Sequence, residues 1–291
     1  MVIDSTADEL SADEPLKRFI DDFEQGAISS GDWTHASHVA MAGVYVQEFG
    51  KEAALGKIRE GIRNLNRSHG VEETPTRGYH ETLTRFWIQV CDAFLNENGL
   101  RGPEAVRALV AVYGRRSDLY REYYSYDPIV CLRARAGWRT PDLQPLPAAW
   151  RRGEMMVSTN PRLVHVATVQ AFLSQSYWAR GIPVEVVERS IRGSVPFGLY
   201  DGGRQVGFAR VVTDLATYGY LADVFIVESH RGRGLARWMM ECVIGHPSLA
   251  GFRRWQLATM DAHGLYEQAG FRRVAHPERM MEMVDADIYE A

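Results

Sequence analysis

The chain has 291 residues, about twice the usual domain size, so its length predicts two domains. Hydrophobic residues make up 46% and charged residues 24%, which excludes a disordered chain, a collagen-like repeat and a disulfide-framed miniprotein. A formal charge of −4 argues against a nucleic-acid binder, which would present a basic face.

Cys91, Cys131 and Cys242 form no C-x-x-C pair and suit a reducing compartment. The opening segment, MVIDSTADELSADE, is acidic and polar, unlike a secretory or organellar leader. The longest apolar run, Val39 to Val46, is too short to cross a bilayer. These features predict a cytoplasmic protein with neither a membrane nor a nucleic acid as partner.

From Pro15 to about Gly137 the pattern is helical. Leu16, Phe19, Ile20 and Phe23 recur at helical spacing, with Gly26 as a stop. Asp32 reads as the N-cap of a helix closed by Gly50, and Ala54, Leu55, Ile58, Ile62 and Leu65 mark the next, ending near Gly70. A fourth helix runs from His80 to Leu95, and Pro103 opens a fifth reaching about Tyr113. A further short helix spans Ser117 to Tyr124. This half reads as an all-α bundle without strands.

Two of its segments, Asp32-Trp-Thr-His-Ala-Ser-His38 and Gly78-Tyr-His-Glu81, concentrate side chains with chemistry. His35 and His38 lie three apart at a helix start, so both imidazoles leave one face. His80 and Glu81 open another helix. Were the two helix ends to meet, three imidazoles and a carboxylate would converge, which makes His35, His38 and His80 the candidate ligands of a divalent metal, zinc or iron. The helix dipole keeps imidazoles neutral there, as ligation requires. Two other readings stay open: a metal-free polar pocket lined by Trp33, Tyr79, Trp87 and these histidines, or histidines that serve structure alone.

Gly137 to Glu154, GWRTPDLQPLPAAWRRGE, carries three prolines and no periodicity, and reads as a linker. The predicted boundary lies near residue 150, giving domains 1–150 and 151–291. Beyond it, Leu163 to Ala179 and Val184 to Arg192 are helical. Pro196 to Tyr200, Gln205 to Val212 and Tyr220 to Val227 read as strands. A helix, a strand over Trp255 to Ala258, a short helix and a final strand pair complete an α/β domain with a central mixed sheet.

The informative segment is YLADVFIVESHRGRGLARWMMECVIGHP, where an apolar run ends at Val227 and Gly232-Arg233-Gly234 opens a helix. Free N–H groups in a first helical turn, approachable past glycine and flanked by Arg231 and Arg233, would hold a pyrophosphate. No G-K-[ST] follows at the spacing of a Walker loop, and Arg237 stands where a dinucleotide fingerprint needs its third glycine.

Arg231-x-x-Gly234-x-Ala236 after a strand resembles the coenzyme A loop of the GNAT superfamily of N-acetyltransferases. Asp261-Ala-His-Gly-Leu-Tyr-Glu-Gln-Ala-Gly-Phe271 resembles its second signature, and the likeness covers roughly residues 155 to 285. The resemblance implies an acyl-CoA N-acyltransferase fold, acetyl-CoA as cosubstrate, and direct attack of an acceptor amine on the thioester. It implies that Val224, Phe225, Ile226 and Val227 pair with the pantetheine arm, while Arg231, Gly232, Arg233, Gly234, Leu235 and Ala236 hold the pyrophosphate. Tyr266 then stands as the acid that protonates the leaving thiolate and Asp223 as a base or substrate contact, with His263 as a second acid or base. Tyr177, Trp178, Tyr218, Tyr220 and Asp223 are compatible with a small-molecule amine as acceptor and equally with core and rim packing, so the acceptor stays open at this point.

The segments WTHASH and GYHETLTRFW are similar to helical domains of unassigned function found in bacteria, alone or joined to acetyltransferases. That likeness implies no activity. The helical half is therefore read in three ways: as an appendage of unknown role, as a separate metal-dependent enzyme, or as a sensing or homodimerising module.

Overall fold

A computed structural model describes residues 13–285 and 288–289. The chain divides after Ala149 into two compact units. The first is helical. α1 (Asp13–Gln25) buries Phe23, and Gly26 ends it at φ 69°. α2 (His35–Ser68) is interrupted at Gly50, where φ 71° and ψ 159° break the helical path, so the predicted stop appears as a kink within one element. Thr34, not Asp32, caps α2. Its Oγ1 accepts from the Ser37 N–H while Ser37 Oγ accepts from the Thr34 N–H. Asp32 is occupied one turn earlier, accepting from Ser29 Oγ at 2.6 Å.

α3 (Glu81–Asn98) starts on His80 and ends at Gly99 in the left-handed region. α4 (Gly102–Tyr113) carries Pro103 in its first turn. The expected helix over Ser117 to Tyr124 is a single 3₁₀ turn at Leu119–Glu122, and α5 (Leu132–Ala136) follows. Phe23, Ile58, Leu65, Phe86, Leu95 and Leu109 form the centre of one continuous core.

The second unit is built on a six-stranded sheet in the order β1 to β6. β1 (Ala149–Arg152) occupies the end of the segment read as linker, and β2 (Met155–Ser158) follows directly after it. Their shortness and the Gly153-Glu154 turn between them hid the alternation. β2 pairs antiparallel with β3 (Val195–Asp201), β3 with β4 (Arg204–Thr213), and β4 with β5 (Tyr218–Ile226). β5 and β6 (Arg254–Gln256) run parallel, which makes the sheet mixed.

α6 (Val166–Leu173) and α7 (Val184–Arg192) pack against Phe208 and Phe225, while α8 (Leu235–Ile244) and α9 (His263–Gln268) cover a second core around Phe197, Leu199 and Val211. α6 is shorter than expected, ending where Ser174 and Ser176 turn their hydroxyls onto backbone carbonyls. The expected final strand pair is absent among the described residues, which hold only a 3₁₀ turn at Pro277–Arg279 after α9. No helix there is long and apolar enough to cross a membrane.

Candidate active site

The β5–β6 pairing stops at Tyr220 and Gln256, so among the described residues the rest of β5 has no strand on that side. A cleft of about 1720 Å³ opens there, between Leu221–Val227 on one wall and Ala258–Ala262 on the other. The β4–β5 register shifts between Phe208 and Arg210, opposite the point where Asp223 adopts φ 54°. A left-handed conformation at a non-glycine residue costs on the order of 1–3 kcal/mol. The strain is held by side-chain bonds: Asp223 Oδ2 accepts from Arg210 Nε at 2.5 Å, and Oδ1 accepts from Trp178 Nε1 at 3.2 Å.

Strand geometry decides which backbone groups face the cleft. Val227 N–H donates to Val206 O at 2.9 Å, so it is spent on β4. Ile226 O, on the opposite edge, accepts from Arg231 Nε at 3.0 Å. Alternation along the strand then turns Val224 and Ile226 toward the cleft edge and Phe225 toward β4. Of the four residues expected to offer backbone to a pantetheine arm, Val224 and Ile226 turn theirs to the cleft, Ile226 with only its N–H unspent because Arg231 takes its carbonyl. Phe225 contributes its ring to the other face, stacked on Phe172 with centroids 3.9 Å apart.

The loop that follows is open to approach from solvent. Gly232 and Gly234 have φ 72° and 73°, and a Cβ on either would meet no atom within 4 Å, so the approach is open. Gly234 caps α8 with no side-chain hydrogen bond, which leaves the first-turn N–H groups without a side-chain acceptor. Arg231 and Ala236 line the cleft. Arg233 is half exposed and reaches to 3.9 Å from Asp201, which also accepts from His230 Nε2. Leu235 differs from expectation: its side chain is buried in the α8 core, so only its backbone is free to take part.

Tyr266, on α9, lines the same cleft. Burial, with the charges of Tyr177 and Asp261 behind it, pushes its phenol up to about 12, so it is a neutral donor at pH 7. His263 is exposed and lies outside the cleft lining. Tyr218 is also elsewhere, donating to Gln256 Oε1 at 2.8 Å. Tyr177, Trp178 and Tyr220 remain at the cleft beside Asp223, and Tyr177 Oη accepts from the Met260 N–H at 3.2 Å. Arg210 went unnoticed in the sequence, although an arginine inside the apolar run VGFARVV needs a buried partner.

In the helical unit the expected metal centre is not formed. Among the described residues no group of three or more His, Cys, Asp or Glu side chains is placed to hold a metal ion. His80 has both nitrogens committed, Nδ1 accepting from the Leu83 N–H and Nε2 donating to Pro128 O at 2.9 Å. Its lone pair is therefore used as a helix cap. Glu81 is equally taken, accepting from Arg59, Arg85 and Tyr79 Oη. Burial raises this carboxyl, but the bonds from Arg59, Arg85 and Tyr79 outweigh it and hold the carboxyl below its ordinary value.

The acetyltransferase (GNAT) domain family matches residues 193–273, from the end of α7 past α9. A Gibberella zeae protein described as a putative acetyltransferase is 35% identical, the match covering 41% of this chain and 80% of that protein. A Xanthomonas campestris structure described as a putative acetyltransferase of the GNAT family is 43% identical, covering 48% of this chain and 100% of its own, with TM-score 0.47. A Clostridium acetobutylicum structure, described as a predicted acetyltransferase with acetyl-CoA, is 12% identical over 45% of this chain and 96% of its own, with TM-score 0.36. Through its C-terminal unit the chain belongs to the GNAT acetyltransferases, enzymes whose acetyl donor is acetyl-CoA.

Proposed function

We propose that the chain transfers the acetyl group of acetyl-CoA to a small-molecule amine bound in the β5 cleft. The observation that carries this reading is a single cleft lined by the Val224–Val227 strand edge, by Arg231 and Ala236 at the start of α8, and by the neutral buried phenol of Tyr266. The N–H groups at the start of α8, with Arg231 and Arg233, would hold the diphosphate. Val224 and Ile226 offer their backbone to the pantetheine arm, and a strand N–H at the Asp223 bulge polarises the thioester oxygen. The amine nitrogen forms its bond to the carbonyl carbon as the C–S bond breaks. Tyr266 Oη–H supplies the proton that the leaving thiolate takes up, and the proton lost by the amine nitrogen passes through water to restore the phenol.

Asp223 is placed to orient the acceptor more than to take its proton, because Arg210 and Trp178 already occupy one site on each oxygen. Tyr177, Trp178 and Tyr220 supply aromatic walls and no fixed phosphate site, which favours an organic amine over a large anionic acceptor. The test is thiol release from acetyl-CoA by the purified full chain against aromatic amines, polyamines, amino sugars and lysine-bearing peptides. Turnover confined to one small-amine class supports the reading. Turnover with peptides alone would replace it with a protein-modifying enzyme.

A further inference from the structure

We propose that the helical unit binds a small uncharged molecule with an apolar ring body and hydrogen-bond-donating groups, of the type and size of a phenol. The site is a cavity of about 330 Å³ between α2, α3 and the turn after α4. That is the volume of roughly eleven liquid waters, at the small end of ligand pockets.

The chemistry of the occupant follows from the walls. None of the cavity-lining residues is Asp, Glu, Lys or Arg, so a charged guest would find no counter-ion. Met41, Ile58, Ile62 and Ile88 give the cavity an apolar floor. Trp33 and Trp87 each hold a histidine by its ring: Trp33 lies 4.1 Å from His38 and Trp87 lies 4.5 Å from His35, centroid to centroid.

The two histidines set the polarity. His38 Nδ1 lies 2.7 Å from Thr34 O and His35 Nε2 lies 3.2 Å from Tyr113 O. A carbonyl can only accept, so both of those nitrogens carry the proton. His38 Nε2 and His35 Nδ1 are therefore bare acceptors, and neither has a hydrogen-bond partner among the described residues. Burial lowers both imidazoles, His38 to about 4, which keeps them neutral acceptors at pH 7. A cavity that offers acceptors on an apolar, uncharged wall selects a guest that brings donors. His80, the third histidine of the lining, is internally satisfied, so the pair cannot complete a three-imidazole metal site.

Isothermal titration of the full-length protein at neutral pH with resorcinol, phenol and anisole tests this assignment. Resorcinol and phenol should bind saturably at one site per chain, and anisole, which lacks the donor, about fivefold more weakly than phenol, as loss of one neutral hydrogen bond gives. His38→Phe, which removes an acceptor, and Ala42→Leu, which fills the cavity, should each weaken phenol binding at least tenfold while acetyl-CoA affinity stays unchanged. The phenol–anisole comparison uses wild-type protein alone, so it stands even where a variant fails to fold. Anisole binding as tightly as phenol, no saturable heat with either phenol, or unchanged phenol binding in both folded variants would overturn the proposal. Tight zinc binding in a parallel titration, abolished by His35→Ala, would replace it with a metal site.

Discussion

Arg210 and Asp223 sit on neighbouring strands and meet across a β-bulge, with Nε donating to Oδ2 at 2.5 Å. The pair is mostly buried, with side-chain accessibilities of 18% and 10%. It ties the strained Asp223 backbone to β4 at the point where β5 parts from β6. The cleft therefore depends on a contact between residues on different strands.

Removing one partner leaves the other buried without a counter-charge. Arg210→Ala should lower stability by about 3 kcal/mol in urea denaturation. The double variant Arg210→Met with Asp223→Leu should cost clearly less than the sum of the single changes, since the two residues are coupled. Additive costs would mean that the contact contributes little in solution.

Tyr266→Phe should lower kcat about 100-fold under conditions where chemistry limits turnover, with the KM for acetyl-CoA almost unchanged. The phenol is held at about 12, so its ionisation should not depress kcat below pH 11. A wild-type rate for the variant would assign proton delivery to water or to another residue.

Gly234→Leu should raise the Kd for coenzyme A by at least 100-fold while the protein remains folded. The added side chain finds empty space in the free protein but enters the approach to the α8 N–H groups. The left-handed φ of 73° adds a folding cost of about 1–2 kcal/mol, visible as a lower melting temperature. Unchanged affinity in calorimetry would remove the loop from the binding site.

Stability should fall as pH drops from 6.5 toward 4. His38 is held near 4 in the fold against 6.5 in the unfolded chain, so the unfolded state takes up the proton first. His35 and His80 are lowered as well, by burial, and add in the same direction. For the partly exposed His38 ring the effect is about 2 kcal/mol. Further loss follows below pH 4.5 as Glu81 is protonated and releases Arg59 and Arg85. Chemical denaturation from pH 8 down to about pH 2 measures both steps, and His38→Gln should flatten the first.

Treatment with a chelator should leave the melting temperature of the helical unit unchanged. Elemental analysis after expression with zinc and iron supplied should find well under one metal per chain. Near-stoichiometric metal lost in both His35→Ala and His80→Ala would restore the three-histidine centre and require His80 to leave Leu83 and Pro128.

Much of this protein could be read along the chain. Helix faces such as Ala54-Leu55-Ile58-Ile62-Leu65, the glycines that end or kink helices, and the Arg231-to-Ala236 loop are local signals. Each depends on residues within one or two turns of one another, so spacing alone carries them. The short β1 and β2 escaped because four residues each leave too little alternation to recognise.

What the tertiary structure alone decided is how polar groups are spent. Val227's N–H belongs to Val206, His80's lone pair to Leu83, and Glu81's oxygens to Arg59, Arg85 and Tyr79. A residue type announces what a side chain can donate or accept. Its partner is set by packing between elements far apart in sequence, and only after those bonds are counted does it emerge which groups are left for a ligand.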